Sequence, residues 1–529
     1  MPSLSNSNSA ADNTALCLVP AAIKERPNTR LERNRRLPIL RIYPDILELI
    51  FILGVNPEHT IYKRQHTVIS YSQTCHDWRI VTISIKSLWS DLVDFELNSE
   101  AWNKELLRRS YPFPIVVKAY TTRRPSAIDA ELAHLERIRI YRVGFEASAW
   151  DILVERLQQP APHIEYLDII HAGRSSNDSF ILPSTLFAAD APHFKRLDMT
   201  QCLVDFQAPV LRSLTTLSVE YPNASIAPTP SEWLEHLSRL PSLTSLRLKN
   251  SMRSQGHSAF SISAPETNQV QLSLLSALDL DASLDNISVL ISGLKFPAFC
   301  GLIINCSKCY PGPELEIVLS AYLYRLDYAH HLLPENCPFL IYARRSTISI
   351  RNEQSLFDPS SDEFYTDIPP TLRLDLHSGN FELWESLLTP VLYRLREAFS
   401  KFTSLEVQLP PTIYSELLPC LVRATKLTQL TKVSATMTKK LLSQIQIIQP
   451  SDVIPLPALH TIVFIDDESM WGVPYQTFVS FLRWRRSVGH PITRVLFRQC
   501  MVLYDTVIGL GVHDVQVDCD SAGSRWQRL

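Results

Sequence analysis

The sequence predicts an α/β protein, with a small helical domain near the N-terminus and a long array of strand–helix repeats behind it. Apolar residues at helical spacing fill residues 42–92. From residue 135 onward a different apolar spacing, typical of short strands, recurs through most of the chain. The length of 529 residues suits either several globular domains or one elongated repeat array with a small appendage. The recurring spacing favours the repeat array.

The composition argues against several classes of function. The 51 basic and 54 acidic side chains leave a net charge of −3, which does not suit a coat for nucleic acid. Apolar runs are too short for a membrane-spanning helix. Only 13 glycines occur against 36 prolines, and neither GxxxxGK[ST] nor GxGxxG is present, which disfavours the phosphate-binding folds. We therefore expect no nucleic acid, no membrane and no cofactor as a partner.

Residues 1–36 are predicted to be a disordered leader that becomes basic from Lys24 to Arg36. Its apolar stretch, Ala15–Val19, is too short for the core of a signal peptide. The ten cysteines of the chain show no disulfide-framework spacing, which fits a reducing compartment. We therefore expect the protein in the cytoplasm or the nucleus.

A first amphipathic helix is predicted after the leader. Pro44 and Asp45 suit a first helical turn, where a missing N–H is tolerated and negative charge is favoured. Gly54 is a suitable residue to end the helix. One face carries four apolar residues at i, i+3, i+4 and i+7: Ile46, Leu49, Ile50 and Leu53.

Two further helical pieces complete a domain predicted over residues 37–95. A second pattern puts five residues on one face: Val68, Tyr71, Ser72, Cys75 and Trp78. Leu88 and Trp89 lie in a third piece. A domain of this size buries only a small core, so we expect it to complete the burial of its apolar surface against a partner.

The residues of this domain resemble the F-box family. Tyr43–Phe51 is similar to the Leu-Pro-x-Glu-Leu-Leu-x-x-Ile-Phe opening, Cys75–Arg79 to the Cys-x-x-Trp-Arg centre, and Leu88–Trp89 to the Leu-Trp end. Their order and spacing are those of many F-box-like proteins of filamentous and mushroom-forming fungi. The resemblance covers about a tenth of the chain. The alternative is that Trp78 and Trp89 are ordinary core aromatics of a small helical domain.

The resemblance implies docking on a Skp1-type adaptor and, through it, on a cullin. The docking surface that it implies consists of apolar anchors, some of which will instead be internal core. These residues are Pro44, Ile46, Leu47, Ile50, Phe51, Cys75, Trp78, Leu88 and Trp89.

The rest of the chain repeats one apolar triplet. An apolar residue is followed by another three positions on and by a third two positions beyond that. A helical stretch at Trp102–Ser110 and a strand at Pro114–Val117 precede these triplets. The triplets begin at Leu135, Ile164, Phe194, Leu214, Leu243, Leu275, Phe299, Phe402, Leu459 and Ile492. In five of them a proline lies two residues before the first apolar position: Pro162, Pro192, Pro241, Pro297 and Pro457.

The triplets predict strands whose alternate side chains point into a core. Helical patterns lie between them at Ala149–Leu157 and Ser231–Leu237, and proline stops each helix. The pattern resembles the irregular leucine-rich repeats that follow F-boxes. It predicts a solenoid over residues 96–529, with a less regular insertion at about 311–380 that contains strand-rich segments at 339–342 and 346–350. The alternative is an α/β enzyme, whose parallel strands give the same alternation. The shortage of glycine and the lack of a nucleophile elbow weigh against this alternative.

Two sequence clusters with possible chemistry have simpler explanations. Cys306 and Cys309 form a CxxC pair, but a structural zinc site needs four ligands and no second pair follows at suitable spacing. Arg483, Arg485 and Arg486 are interpreted as a solvated helix face rather than a phosphate site. We therefore expect no metal site and no catalytic residue.

Together these expectations describe a non-catalytic adaptor. The helical domain docks Skp1, and the repeats hold an unidentified protein substrate for ubiquitin transfer performed elsewhere, in an SCF-type (Skp1–cullin–F-box) ubiquitin ligase. Catalysis by such an assembly is proximity, because holding a target near a charged carrier makes the step effectively intramolecular. The alternative is a leucine-rich-repeat interaction scaffold that has kept a relic F-box without recruiting a ligase.

Overall fold

A computed structural model describes most of the chain from residue 42 onward. The leader at 1–36 predicted from the sequence lies outside the described residues. These are 42–56, 59–173, 179–253, 269–329, 338–344, 347–352, 372–378, 384–409, 414–431, 454–465, 475–498, 502–503, 514–519 and 526–527.

The chain divides into two compact units. The first contains Met1–Val93 and Asn98–Ile115, and the second contains Asp94–Leu97 and Val116–Leu529. In this division the helical unit also contains Asn98–Ile115, beyond the boundary at residue 95 that the sequence predicts. No helix within the described ranges is long and apolar enough to cross a membrane.

The first unit is helical, with helices that begin at identifiable caps. Thr60 and Ser99 accept hydrogen bonds from backbone N–H groups in the first turns of the second and fifth helices. Pro44 occupies the first turn of the first helix. The helices are α1 (Pro44–Gly54), α2 (Ile61–Thr74), α3 (His76–Ser84), α4 (Lys86–Ser90) and α5 (Glu100–Ser110).

The second unit contains a sheet of 16 strands. Its strands in chain order are β1 (Ile115–Arg123), β2 (Ile138–Phe145), β3 (Tyr166–His171), β4 (Arg196–Thr200), β5 (Thr216–Glu220), β6 (Ser245–Lys249), β7 (Ala277–Ser283), β8 (Gly301–Ser307), β9 (Pro338–Arg344), β10 (Thr347–Asn352), β11 (Leu372–His377), β12 (Ser404–Gln408), β13 (Gln429–Thr431), β14 (Thr461–Ile465), β15 (Arg494–Arg498) and β16 (Gln516–Cys519). The order across the sheet is β1 to β8, then β11, β10, β9, then β12 to β16.

The predicted insertion at 311–380 contains the departure from sequential strand order. Neighbouring strands from β2 to β8 pair in parallel, whereas β10 pairs antiparallel with both β9 and β11. The strand-rich segments expected at 339–342 and 346–350 are β9 and β10. β11 is not predicted by the sequence pattern, and it continues the parallel register, with Leu372 and Leu374 opposite Leu302 and Ile304.

Helices connect many of the strands. They are α6 (Pro125–Leu132), α7 (Trp150–Leu157), α8 (Pro230–Ser238), α9 (Leu284–Gly293), α10 (Pro313–Ala329), α11 (Trp384–Leu395), α12 (Tyr414–Arg423) and α13 (Tyr475–Ser487). The helices expected at 149–157 and 231–237 are α7 and α8. In α8, Thr229 and Glu232 form a reciprocal capping box. Three pairs of two-residue strands lie outside the large sheet: Ile181–Leu182 with Leu203–Val204, Val270–Gln271 with Leu294–Lys295, and Val502–Leu503 with Trp526–Gln527.

The apolar triplets form the core of the second unit, as the period-2 alternation predicts. In eight of the ten predicted triplets all three side chains are buried; their leading residues are Ile164, Phe194, Leu214, Leu243, Leu275, Phe402, Leu459 and Ile492. Corresponding positions lie opposite one another on neighbouring strands, as Leu217 does with Leu246 and Leu246 with Leu278. The prolines before the triplets lie in the turns that lead into the strands.

The predictions are wrong for two triplets, those of β2 and β8. On β2 the residues opposite Leu167 and Ile169 are Tyr141 and Val143, so this triplet begins at Ile138 rather than at Leu135. The shift was hidden because Leu135 is itself buried, in a short 3₁₀ turn before the strand. Before β8, Phe299 is exposed and Cys300 is buried in its place.

The shortage of glycine has a direct structural effect. Nine described non-glycine residues have positive φ, among them Ala189 (61°), Gln201 (61°), Tyr221 (51°) and Asn250 (45°). Side chains other than glycine are strained in this left-handed region. Gln201, Tyr221 and Asn250 each directly follow a strand, and each backbone N–H donates to a carbonyl of the next strand. These hydrogen bonds hold the left-handed conformation in place.

Candidate protein-interaction surfaces

Helix α1 has apolar residues on two faces, and only one face is buried. Leu47 and Phe51 point into the first unit and are buried. The four residues that the sequence places on one amphipathic face remain exposed, between 41% for Ile50 and 82% for Leu53. We call these residues the α1 stripe: Ile46, Leu49, Ile50 and Leu53. Contiguous exposed apolar surface of this kind marks interaction sites in soluble proteins.

Aromatic rings hold α1 in place beneath the stripe. The ring of Phe51 stacks on Tyr71 with centroids 4.5 Å apart, and meets the edge of Trp78 at 4.9 Å. Burial raises the pKa of Tyr71. Gly54 allows the end of α1 to lie close to Tyr71, because a Cβ at residue 54 would be 2.2 Å from the Tyr71 hydroxyl oxygen. The stripe is therefore presented on a helix whose opposite face is anchored.

Cys75 and Trp78 occupy a helix junction rather than one continuous helix face. The backbone of Cys75 is extended and separates α2 from α3, so the single helical pattern expected across this region is two helices. Cys75 is the N-cap of α3, and its Sγ accepts from the backbone N–H of Trp78 at 3.5 Å. Arg79 Nε donates to the Ser72 carbonyl at the end of α2. The Cys-x-x-Trp-Arg spacing therefore forms a cap at this junction.

Leu88 and Trp89 are core residues. Trp89 is fully buried, and its indole N–H donates to the Thr82 carbonyl over 2.9 Å. The guanidinium of Arg109 on α5 lies 4.3 Å from the centre of the Trp89 ring, which adds a cation–π contact. The buried side chains of Leu88 and Trp89 therefore pack α4 against the interior of the first unit.

The nine residues proposed from the sequence therefore fall into three groups. Pro44, Ile46 and Ile50 are exposed on α1. Cys75 and Trp78 are half-buried at the helix junction, and four are buried: Leu47, Phe51, Leu88 and Trp89. Leu49 and Leu53, which are exposed beside Ile46 and Ile50, were not among the nine, although the i, i+3, i+4, i+7 spacing places all four together.

The second candidate surface is the side of β2–β8 whose residues alternate with the buried triplets. We call it the polar face. This face was not predicted from the sequence, although its signal is simple: the residue between two buried positions of a triplet points to the other side of the sheet. At these positions stand Arg142, Asp168, Asp198, Ser218, Arg247 and Asp279.

One cluster of the polar face surrounds Tyr166. Its hydroxyl donates to Asp198 Oδ2 over 2.7 Å, and the Arg196 guanidinium lies 4.3 Å from the ring centre. Arg196 also pairs with Asp198 at 2.7 Å, and Arg142 pairs with Asp168 at 2.7 Å. Asp168 and Asp198 lie opposite each other on β3 and β4, so two carboxylates share the cluster.

The carboxyl of Asp168 is held in an unfavourable place for a negative charge. Burial and the neighbouring Asp198 raise its pKa to about 6, although the paired Arg142 acts in the opposite direction. Burial also raises the pKa of Tyr166, and the two aspartates add to this effect. This part of the polar face therefore gains a proton more readily than an exposed carboxyl would.

A second charged cluster follows on β5, β6 and β7. Arg247 Nε lies 3.0 Å from Asp279 Oδ2, and Lys249 Nζ lies 3.4 Å from Glu220 Oε1. Burial raises the pKa of Asp279, and the arginine opposes that shift. Between the two clusters lie Thr216 and Ser218 on β5: Ser218 is opposite Asp198 on one side and Arg247 on the other.

The candidate metal and phosphate residues have structural positions. Cys306 and Cys309 are buried, and burial raises the pKa of the Cys306 thiol well above its usual range, which opposes thiolate formation. Among the described residues, no three His, Cys, Asp or Glu side chains converge as metal ligands would.

The interpretation of Arg483, Arg485 and Arg486 as a solvated helix face is wrong for Arg485, which is buried. Its side chain is 1% exposed, and it donates to the carbonyls of Pro455 and Leu459 over 3.0 and 2.9 Å. Burial lowers its pKa to about 10. Arg483 is exposed, and Arg486 pairs with Asp514. The triplet loop before β14 provides the acceptors, so Arg485 joins α13 to the preceding repeat.

The structure thus defines a mixed α/β protein with an exposed apolar helix in one unit and a charged sheet face in the other. The chain matches no model in a scan of known protein families. A search of the curated proteins also finds no similar sequence.

Proposed function

We propose that this protein is the substrate-recognition adaptor of an SCF-type ubiquitin ligase. In this proposal the first unit is an F-box-like domain that docks a Skp1-type adaptor and, through it, a cullin. The second unit is an irregular leucine-rich-repeat domain that binds a protein substrate. The chain itself is non-catalytic and acts in the cytoplasm or the nucleus.

The observation that supports the proposal most directly is the α1 stripe. Four large apolar side chains stand exposed in consecutive turns of a helix whose other face is anchored by Leu47 and Phe51. A helix that presents residues at i, i+3, i+4 and i+7 suits docking into a groove of a partner. The motif resemblance to the F-box, which comes from the same residues, indicates Skp1 as that partner.

The arrangement also explains why the motif contains buried residues. Leu47 and Phe51 anchor α1 from its buried side, and Leu88 and Trp89 are buried elsewhere in the first unit. Their contribution to docking is then indirect, through the position of the stripe, whereas Ile46 and Ile50 are placed for direct contact. This distinction determines which variants test docking rather than folding.

The test is capture of Skp1 by the full-length protein. We expect the wild-type chain to co-purify with co-expressed Skp1, and the Ile46→Asp/Ile50→Asp variant to lose this capture. Losing an apolar anchor from an interface costs about 1.5–3 kcal/mol, and burying a new carboxylate costs more. Capture should therefore fall by at least about tenfold for each substitution.

Ile181→Asp is the matched control. Ile181 is 43% exposed, close to the 41% of Ile50, but lies in the second unit. This control should capture Skp1 as the wild type does. Undiminished capture by the α1 double variant would refute α1 docking. A folded wild type that captures no Skp1 would favour the alternative, a repeat scaffold with a relic F-box.

A further inference from the structure

The polar face contains buried polar atoms that have no hydrogen-bond partner among the described residues. They are Asp198 Oδ1, Ser245 Oγ, Ser283 Oγ and Asn305 Oδ1. Nearly every buried polar atom in a folded protein is paired, so four on one face need an explanation. All four are able to accept a hydrogen bond, and two can only accept. The unmet requirement of this face is therefore for donors.

Ser245 lies at the floor of a track of small side chains. It is 6% exposed, and its register partners on either side are Thr216 and Ala277. The next strand places Gly301 opposite Ala277. Arg247 is two residues from Ser245 on the same strand, and so on the same face, with a much larger side chain. The row from Thr216 to Gly301 thus offers close approach to another chain between longer charged groups.

The charges of the polar face also favour a positively charged ligand. Five carboxylates stand against four cations: Asp168, Asp198, Glu220, Asp279 and Asp281 against Arg142, Arg196, Arg247 and Lys249. Asn305 Nδ2 donates to Asp281 Oδ2 over 2.8 Å, whereas Asn305 Oδ1 has no donor among the described residues. An added cation would meet a small excess of negative charge in a partly desolvated setting, where electrostatic attraction is stronger than in water.

We propose that the polar face binds a basic, extended segment of a protein partner. Lysine or arginine side chains of the segment donate to Asp198 Oδ1 and Asn305 Oδ1, and its backbone crosses the sheet at Ser245. Four strand spacings, about 19 Å, separate Asp198 on β4 from Asn305 on β8, and Asn305 also lies two residues further along its strand, so the separation is about 20 Å. Roughly six residues of extended chain span that distance. This proposal rests on the proposed function, in which the segment belongs to the substrate.

The binding test uses the full-length protein and a defined probe. The probe is a fluorescein-labelled peptide of alternating lysine and glycine, about ten residues long, which exceeds the span of the site. Fluorescence anisotropy at low salt measures its Kd. Asp198→Asn keeps the side-chain size and removes one charge, and we expect it to weaken binding at least fivefold.

Asp151→Asn is the control with the same change in net charge. Asp151 is exposed on α7, away from the polar face, and its variant should bind the probe as the wild type does. Equal losses in both variants, or none in Asp198→Asn, would overturn the proposal. The matched glutamate–glycine peptide should not compete, and competition by it would also refute a cation-selective face.

A second variant tests the site if Asp198→Asn folds poorly by circular dichroism. Asn305→Ala removes the other acceptor without changing the charge, and we expect two- to threefold weaker binding. Unchanged binding by a folded Asn305→Ala protein would contradict the predicted contact. Skp1 capture by these variants should equal that of the wild type, so failure here is separate from failure of α1 docking.

Discussion

The first unit exposes apolar side chains on α1, whereas the second unit buries its apolar triplets and exposes a charged sheet face. In the first unit, Leu53 is among the most exposed large apolar residues of the described chain. In the second, Leu246 is 1% exposed while its neighbour Arg247 is paired on the polar face. Leucine therefore has opposite roles at these two positions.

The difference suggests two kinds of recognition in one chain. Apolar anchors provide much of the binding energy of an interface, whereas charge complementarity provides specificity and orientation. The left-handed non-glycine residues add a second contrast, because all those described lie in the second unit. The second unit thus contains strained left-handed residues while its strands keep their register, whereas the first unit leaves apolar surface exposed.

The largest expected effect comes from matched leucine truncations. Leu246→Ala removes a buried triplet side chain and should lower the free energy of unfolding by about 3 kcal/mol. Leu53→Ala removes an exposed side chain and should change it by less than about 0.5 kcal/mol. Guanidinium denaturation of both full-length variants measures the difference. A similar cost for the two would remove the contrast between the units.

The buried Arg485 tests whether the second unit depends on polar contacts in its interior. Arg485→Ala leaves the carbonyls of Pro455 and Leu459 without their donor, and we expect a loss of about 2–3 kcal/mol in unfolding free energy. The exposed neighbour Arg483→Ala should stay within about 0.5 kcal/mol of the wild type. The same denaturation experiment gives both values, and a neutral Arg485→Ala would assign the contact no structural weight.

The polar face should make stability depend on pH. The pKa of Asp168 is about 6 in the folded protein, against about 3.9 for an unfolded aspartate. The folded state therefore binds more protons between these values, and stability falls as pH rises from about 4 to about 6. We expect Asp168 to contribute a fall on the order of 2 kcal/mol over this range.

Asp168→Asn isolates this contribution. Denaturation at about pH 4 and about pH 6 gives the change for each protein, and the difference between the two changes belongs to the carboxyl. The variant should show the smaller fall. An equal fall in both proteins would show that Asp168 titrates alike when folded and unfolded. The α1 stripe contains no ionisable side chain, so Ile50→Ala should leave the pH dependence unchanged.

The triplet periodicity predicted the core of the second unit because each strand is buried on one side and polar on the other. It predicted the wrong start for the triplet of β2 because Leu135 and Ile138 are both buried. It predicted the strand β10 but not its antiparallel direction, because alternation is the same in either strand direction. In α1, periodicity identified the Ile46–Leu53 face but not its exposure, because Leu47 and Phe51 make the other face apolar as well. The residues of the polar face can be predicted from the sequence, because they lie between the buried positions of each triplet. Which of them lie opposite one another on neighbouring strands can be determined only from the strand register of the structure.

The smallest expected effect comes from replacing alanine by glycine in a left-handed turn and, for comparison, in a helix. Ala189 has a φ of 61° and is exposed, so Ala189→Gly relieves strain without removing a packed side chain. Ala130 is exposed in α6, where glycine is unfavourable. We expect Ala189→Gly to raise the free energy of unfolding by about 0.5–1 kcal/mol, and Ala130→Gly to lower it by a similar amount. Opposite signs for one substitution, measured by thermal and guanidinium denaturation, would show that left-handed turns without glycine carry a cost in the second unit. The same sign at both sites would mean that the hydrogen bonds of these turns already compensate for the strain.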